Sequence, residues 1–118
     1  MKAVKGTQFP RYIGGQNINY DLCSQILLVV YNELSKQKVL YFTKVPDPKY
    51  PSAGQILKSD NPEYELMVWI TEDMTLSLAV GSYMIEGKRT INQEKQGKPD
   101  LILKGVGSFI EIVESQTK

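Results

Sequence analysis

The chain contains no histidine. That removes histidine-based catalytic triads, imidazole metal ligands and the usual proton shuttle near neutral pH. Its one cysteine, Cys23, cannot form a disulfide within the chain, and thiolate zinc sites need more than one. Cys23 reads instead as a small apolar residue beside a strand, and a lone cysteine leans toward a reducing compartment. An excess of one charge is missing as well. Fourteen Lys plus Arg against 13 Asp plus Glu leave a net charge of +1. No general electrostatic footprint for nucleic acid or an anionic membrane follows from that balance. Long apolar runs are also absent. The longest, Ile26 to Tyr31, is far too short to span a bilayer, and residues 1–6 lack the apolar run of a signal peptide.

What is present is short-period alternation. The 118 residues suffice for one domain that folds without metal or disulfide staples. Residues 17–22 alternate, with Ile18, Tyr20 and Leu22 on one side, and read as a half-buried strand. Ile26 to Tyr31 is apolar on both faces, as a central strand would be. Val39 to Val45, Gln55 to Lys58, Tyr64 to Ile70, Ser82 to Ile91, Leu101 to Leu103 and Ser108 to Val113 follow. Gly87 is a candidate bulge. In the segment from Tyr64, the residues Tyr64, Leu66, Val68 and Ile70 share a face opposite Met67 and Trp69. Three prolines in Pro46–Pro51 take the chain out of the sheet. The expected fold is an all-β, immunoglobulin-like antiparallel sandwich of about eight short strands. Its only helical turn lies near Thr71–Leu78, where Thr71 caps and Glu72 and Asp73 suit the first turn. Residues 1–15 read as an N-terminal arm or edge strand, and 16–118 as the sandwich, ending in a short polar tail. An arm of that kind can be deleted without unfolding the rest.

The segment Leu78-x-x-Gly81-x-Tyr83 is the corner of this plan. In immunoglobulin-like sandwiches a tyrosine near the start of a late strand hydrogen-bonds to backbone a few residues upstream. Thr71, Leu78, Gly81 and Tyr83 are the expected structural corner, with Leu76 and Leu78 plugging the sandwich end and Trp69 a candidate for the large core aromatic. The run Glu72-Asp73-Met74-Thr75-x-x-Leu78-x-x-Gly81-x-Tyr83, followed by a strand, a polar hairpin and Gly107-Ser108-Phe109-x-Ile-x-Val, resembles the N-terminal immunoglobulin-like domain of tailed-phage baseplate upper proteins. Related small phage and prophage structural proteins share the pattern. The likeness covers residues 16–113. It implies a structural role in a virion, by docking onto neighbouring subunits, and supplies no catalytic residues. The long Pro46–Pro51 connection departs from the pattern.

Chemistry is hard to find in what remains. Glu63 and Glu65 read as the wet face of a half-buried strand rather than a glycosidase pair, which must span a sugar-binding cleft. Glu72 and Asp73 fall short of the six or more oxygen ligands of a calcium site. Gly14-Gly15 and Gly105-x-Gly107 lack the following helix and Lys-Ser/Thr of a phosphate loop. Lys88, Arg89, Lys95 and Lys98 read as a solvated hairpin, with docking of an acidic partner as the other use. Tyr50, in the proline-rich loop, is the tyrosine expected to be most exposed, suited to an interface or to stacking on a sugar.

The sequence therefore points to a non-enzymatic assembly protein without cofactor, catalytic residue or metal site. Phe9, Tyr12, Lys49 and Tyr50 are its candidate interface residues. Expected partners are other copies of itself or other virion structural proteins, in a homo-oligomer or mixed assembly, and not nucleic acid or membrane. The expected location is the virion, or the host cytoplasm during assembly. The alternative is a carbohydrate-binding or other recognition module with exposed tyrosines.

Overall fold

The computed structural model describes residues 2–14, 18–91, 100–103 and 109–114. The hairpin loop 93–99 with Lys95 and Lys98, the glycines Gly15, Gly105 and Gly107, and the tail beyond Glu114 lie outside the described residues. Along the chain come β1 (Lys2–Val4), β2 (Phe9–Ile13), a 3-10 turn (Tyr20–Leu22), β3 (Cys23–Asn32), β4 (Lys38–Thr43), β5 (Gly54–Gln55) and β6 (Leu57–Lys58). Then follow β7 (Leu66–Ile70), α1 (Glu72–Ser77), β8 (Gly81–Ile91), β9 (Asp100–Leu103) and β10 (Ile110–Val113).

These strands form an all-β sandwich of two sheets. The large sheet runs β1-β10-β8-β3-β4-β5, with β9 also paired to β8, and the small sheet runs β2-β7-β6. The neighbours β10, β8, β3 and β4 pair antiparallel in one sheet, and β2, β7 and β6 do so in the other. Two pairings depart from a purely antiparallel plan: β1 lies parallel to β10, and β5 parallel to β4. The chain changes sheets at Ile56, fully buried between β5 in one sheet and β6 in the other.

The core follows from alternation. Ile26, Leu28 and Val30 of β3, Phe42 of β4, Leu66, Val68 and Ile70 of β7, and Ile110 and Ile112 of β10 are buried between the sheets. Each such side chain contributes about 1.5–3 kcal/mol relative to exposure. Backbone demands fall at the connections. Gly14 has φ +80°, a conformation glycine adopts without strain, and a Cβ there would sit 2.3 Å from Ile18 Cδ1 and displace it.

Several expectations need correction. Residues 20–22 form a 3-10 turn rather than a strand, and Leu22 is 63% exposed. The turn is entered through Asn19 in the left-handed region, φ 60°, a conformation asparagine tolerates and a strand cannot use. Trp69 is not the core aromatic. Leu66, Val68 and Ile70 take the inner face of β7, which leaves Trp69 outward and 47% exposed. Leu78 is buried at the sandwich end, but Leu76 projects outward at 50% exposure. Of the two readings for residues 1–15, arm or edge strand, residues 2–13 supply edge strands. β1 pairs with β10 of the large sheet, β2 pairs with β7 of the small one, and Ala3 and Ile13 are core residues.

Candidate interaction faces

Thr71 opens α1. Its Oγ1 accepts from Met74 N–H at 3.2 Å, and Met74 Sδ accepts from Thr71 N–H at 3.5 Å. One turn later Thr75 is wholly buried. Its hydroxyl accepts from Gly6 N–H at 3.0 Å and donates to Thr7 O at 2.8 Å. That one side chain ties α1 to the link between β1 and β2. Gly81 then starts β8 at φ +151°, and Tyr83, also buried, donates from its phenol to Ala79 O at 2.7 Å. Thr71, Leu78, Gly81 and Tyr83 thus serve the connection between the sheets. They form no cleft.

Polar groups from one sheet also close the sandwich onto the other. Arg11 lies opposite Val68, on the inner face of β2. It donates from Nε and Nη2 to Phe109 O at 3.3 and 2.9 Å, with its guanidinium 4.9 Å from the Phe109 ring centroid. Burial lowers its pKa, with a smaller opposing effect from Tyr64. Lys44 donates to Tyr20 O and Cys23 O at 2.8 and 2.7 Å. Glu65 is not simply on a wet face: its carboxylate accepts from the backbone N–H groups of Ile18 and Asn19 at 3.0 and 2.7 Å. The acid is consumed in holding the connection after β2. Its partners are about fifty residues away in the chain, so no local pattern announces it. Cys23 is buried, and its thiol donates to Asn19 O at 3.3 Å.

The outer face of the large sheet is unusual for a solvated surface, where alternation would put polar residues outward. The outward positions of β3 are Leu27, Val29 and Tyr31, and Tyr41 of β4 pairs directly with Val29. The proline-rich connection folds back over this surface. Tyr50 is therefore not the free loop tip expected from sequence: its ring stacks on Tyr41 with centroids 4.8 Å apart and an interplanar angle of 29°. Asp47 sets the turn, accepting at Oδ1 from Lys49 N–H at 2.9 Å and at its carbonyl from Tyr50 N–H at 2.9 Å. Clefts of about 380, 320, 210 and 170 Å³ surround Tyr50. The smallest has Tyr31, Tyr41 and Tyr50 in its walls, with Lys38 and Lys88 at its rim and Glu86 the one acid. Lys36 adds its ammonium 5.9 Å from the Tyr31 ring centroid.

The outer face of the small sheet carries a second apolar patch. Trp69 stands opposite Pro10, and Tyr12 opposite Met67. The Tyr12 and Tyr64 rings are 5.9 Å apart, and Tyr64 is 39% exposed. Tyr12 donates to Asp60 Oδ1 at 3.1 Å, which raises the phenol pKa through that hydrogen bond first and desolvation second. The four candidate interface residues therefore do not share one surface. Phe9, opposite Ile70, packs against the core, Tyr12 belongs to the small-sheet face, and Lys49 and Tyr50 belong to the large-sheet face. Sequence reasoning missed Tyr31 and Tyr41 as partners of Tyr50. Their outward direction in an apolar run was the available signal.

Among the described residues there is no group of three His, Cys, Asp or Glu placed to hold a metal ion. No helix among them is long and apolar enough to cross a membrane. Comparison with protein-family models and with curated protein sequences gave no match to this chain.

Proposed function

We propose that this chain is a non-enzymatic assembly module that docks onto protein partners through the outer face of its large sheet. The observation behind this reading is the apolar, tyrosine-lined surface formed by Leu27, Val29, Tyr31, Tyr41 and Tyr50, rimmed by Lys38 and Lys88. Buried tyrosine with a charged rim is the composition of interface cores and their edges. Lysine excess at the rim favours an acidic partner. A virion setting, with phage structural proteins as neighbours and the host cytoplasm as the place of assembly, is suggested by the likeness of the Glu72–Tyr83 run to phage docking domains.

A carbohydrate-binding role is the second reading, favoured by one observation: Trp69, Tyr12 and Tyr64 present aromatic surface on the opposite face. Aromatic rings of this kind stack on apolar faces of ligands while their polar tips stay wet.

An NMR titration and a glycan array together separate the two. Titration with the acidic copolymer poly(Glu,Tyr) is expected to shift Val29, Tyr41 and Tyr50 resonances. No shift there, together with saturable binding on a glycan array that Trp69→Ala abolishes, would replace docking with sugar recognition.

A further inference from the structure

The partner that the tyrosine groove calls for has an acidic, preformed segment with an aromatic anchor, and this chain carries one. Residues 60–64 read Asp60-Asn61-Pro62-Glu63-Tyr64. Asp60, Pro62, Glu63 and Tyr64 are all exposed. We propose that a second copy of this chain seats its 60–64 loop in the groove between Tyr31, Tyr41 and Tyr50, with Tyr64 as the anchor. The proposal rests on reading the large-sheet face as a docking surface.

The loop is built to be presented. Ser59 Oγ accepts from Asn61 N–H at 2.9 Å, and Asn61 Oδ1 accepts from Glu63 N–H at 3.0 Å. Tyr64 N–H donates to Asn61 O at 3.1 Å, and Ser59 N–H donates to Glu65 O at 3.0 Å. Glu65 is itself anchored on Ile18 and Asn19. A loop already held in shape loses little freedom on docking, and tyrosine adds contact area at low entropic cost.

The receiving side matches in size and in charge. The groove between the three tyrosines is about 170 Å³, with larger clefts beside it that share Tyr50, which gives room for one inserted side chain and its flanking loop. Lys38 and Lys88 outnumber Glu86 among the charged residues that line the groove, which leaves an excess of positive charge for Asp60 and Glu63 to meet. The only ion pair between described residues is Lys58 with Asp21 at 2.6 Å, so the rim lysines and the loop acids have no ion partners among those residues. Opposite charge steers the encounter and selects the register.

Loop and groove belong to different surfaces. The loop joins β6 to β7 of the small sheet and lies beside residues 18–19, whereas the groove is on the outside of the large sheet. Such a contact is heterologous, so copies either close into a ring or extend into a chain.

The test is sedimentation of the full chain over a roughly hundredfold concentration range at low and high salt, because mass action makes self-association concentration-dependent. The wild type should exceed monomer mass at the upper end and lose association as salt rises. The groove variant Lys38→Glu/Lys88→Glu and the loop variant Asp60→Lys/Glu63→Lys should each associate about tenfold more weakly or less. An equimolar mixture of the two should associate again, since each variant supplies the surface that complements the other. Thermal melts matching the wild type exclude misfolding. A wild type that stays monomeric, or association that neither variant weakens, overturns the proposal. In that case the poly(Glu,Tyr) titration decides the underlying reading: shifts at Tyr41 and Tyr50 keep docking to some other acidic chain, and their absence removes docking as well.

Discussion

The Tyr83 phenol donates to the carbonyl of Ala79, four residues upstream, at 2.7 Å. The ring is buried while Ala79 is exposed, so a core aromatic reaches out to pin the turn that carries the chain from the small sheet to the large one. Tyr83→Phe keeps the packing and removes only this bond. We expect a loss of about 1 kcal/mol, the net worth of a partly solvated hydrogen bond. Urea unfolding measures it, with an unchanged slope. A loss indistinguishable from zero would show that the ring, not the hydroxyl, holds the corner.

Thr75 gives a larger expected effect. Its hydroxyl satisfies Gly6 N–H and bonds Thr7 O inside the protein. Thr75→Val leaves the shape and strands the Gly6 donor, at a cost of about 1–3 kcal/mol. Amide exchange at Gly6 should accelerate beyond what the global loss explains. Unchanged protection at Gly6 would mean that water replaces the hydroxyl there.

Removal of residues 1–15 is expected to abolish the folded state rather than trim an arm. It strips an edge strand from each sheet, deletes Ala3 and Ile13 from the core, and removes the Arg11 contacts to Phe109. The truncated chain should show no cooperative urea transition. A sharp transition with native near-ultraviolet dichroism would return residues 1–15 to the status of an accessory segment.

The pair of Asp21 and Lys58 predicts a pH signature. The hydrogen bond from Lys58, and then its charge, lowers the Asp21 pKa, and the same two effects from Asp21 raise that of Lys58. The Asp21 contribution is thus present above its unfolded value, about 3.9, and is lost as pH falls through the lower folded value. The Lys58 contribution is present below its unfolded value, about 10.4, and is lost as pH rises through the higher folded one. Both groups are exposed, so salt screens the pair and its effect on stability is small. Carboxyl NMR should find Asp21 titrating below the ordinary range, and back within it in Lys58→Met. An Asp21 titration indifferent to Lys58→Met would mean that the pair does not persist in solution.

Local chemistry made much of the fold legible before any coordinates. An apolar run marked β3, alternation marked β7, the Thr71-Glu72-Asp73 run marked the start of α1, and three prolines marked an exit from the sheet. These are properties of neighbouring residues: side-chain period, capping oxygens, missing donors. Local pattern could not say which face of an apolar strand turns inward. Leu66 to Ile70 is apolar on both sides, and only the opposing sheet decided that Leu66, Val68 and Ile70 are core while Trp69 faces out. Nor could it find bonds between residues far apart in the chain. The grip of Glu65 on Ile18 and Asn19, the clasp of Thr75 on Gly6 and the stack of Tyr50 on Tyr41 exist because folding brings distant segments together. The sequence by itself determined the class of fold and the kinds of chemistry the chain lacks. The tertiary structure alone decided which apolar residues remain outside, because burial is a property of the whole assembly of strands and not of any one of them.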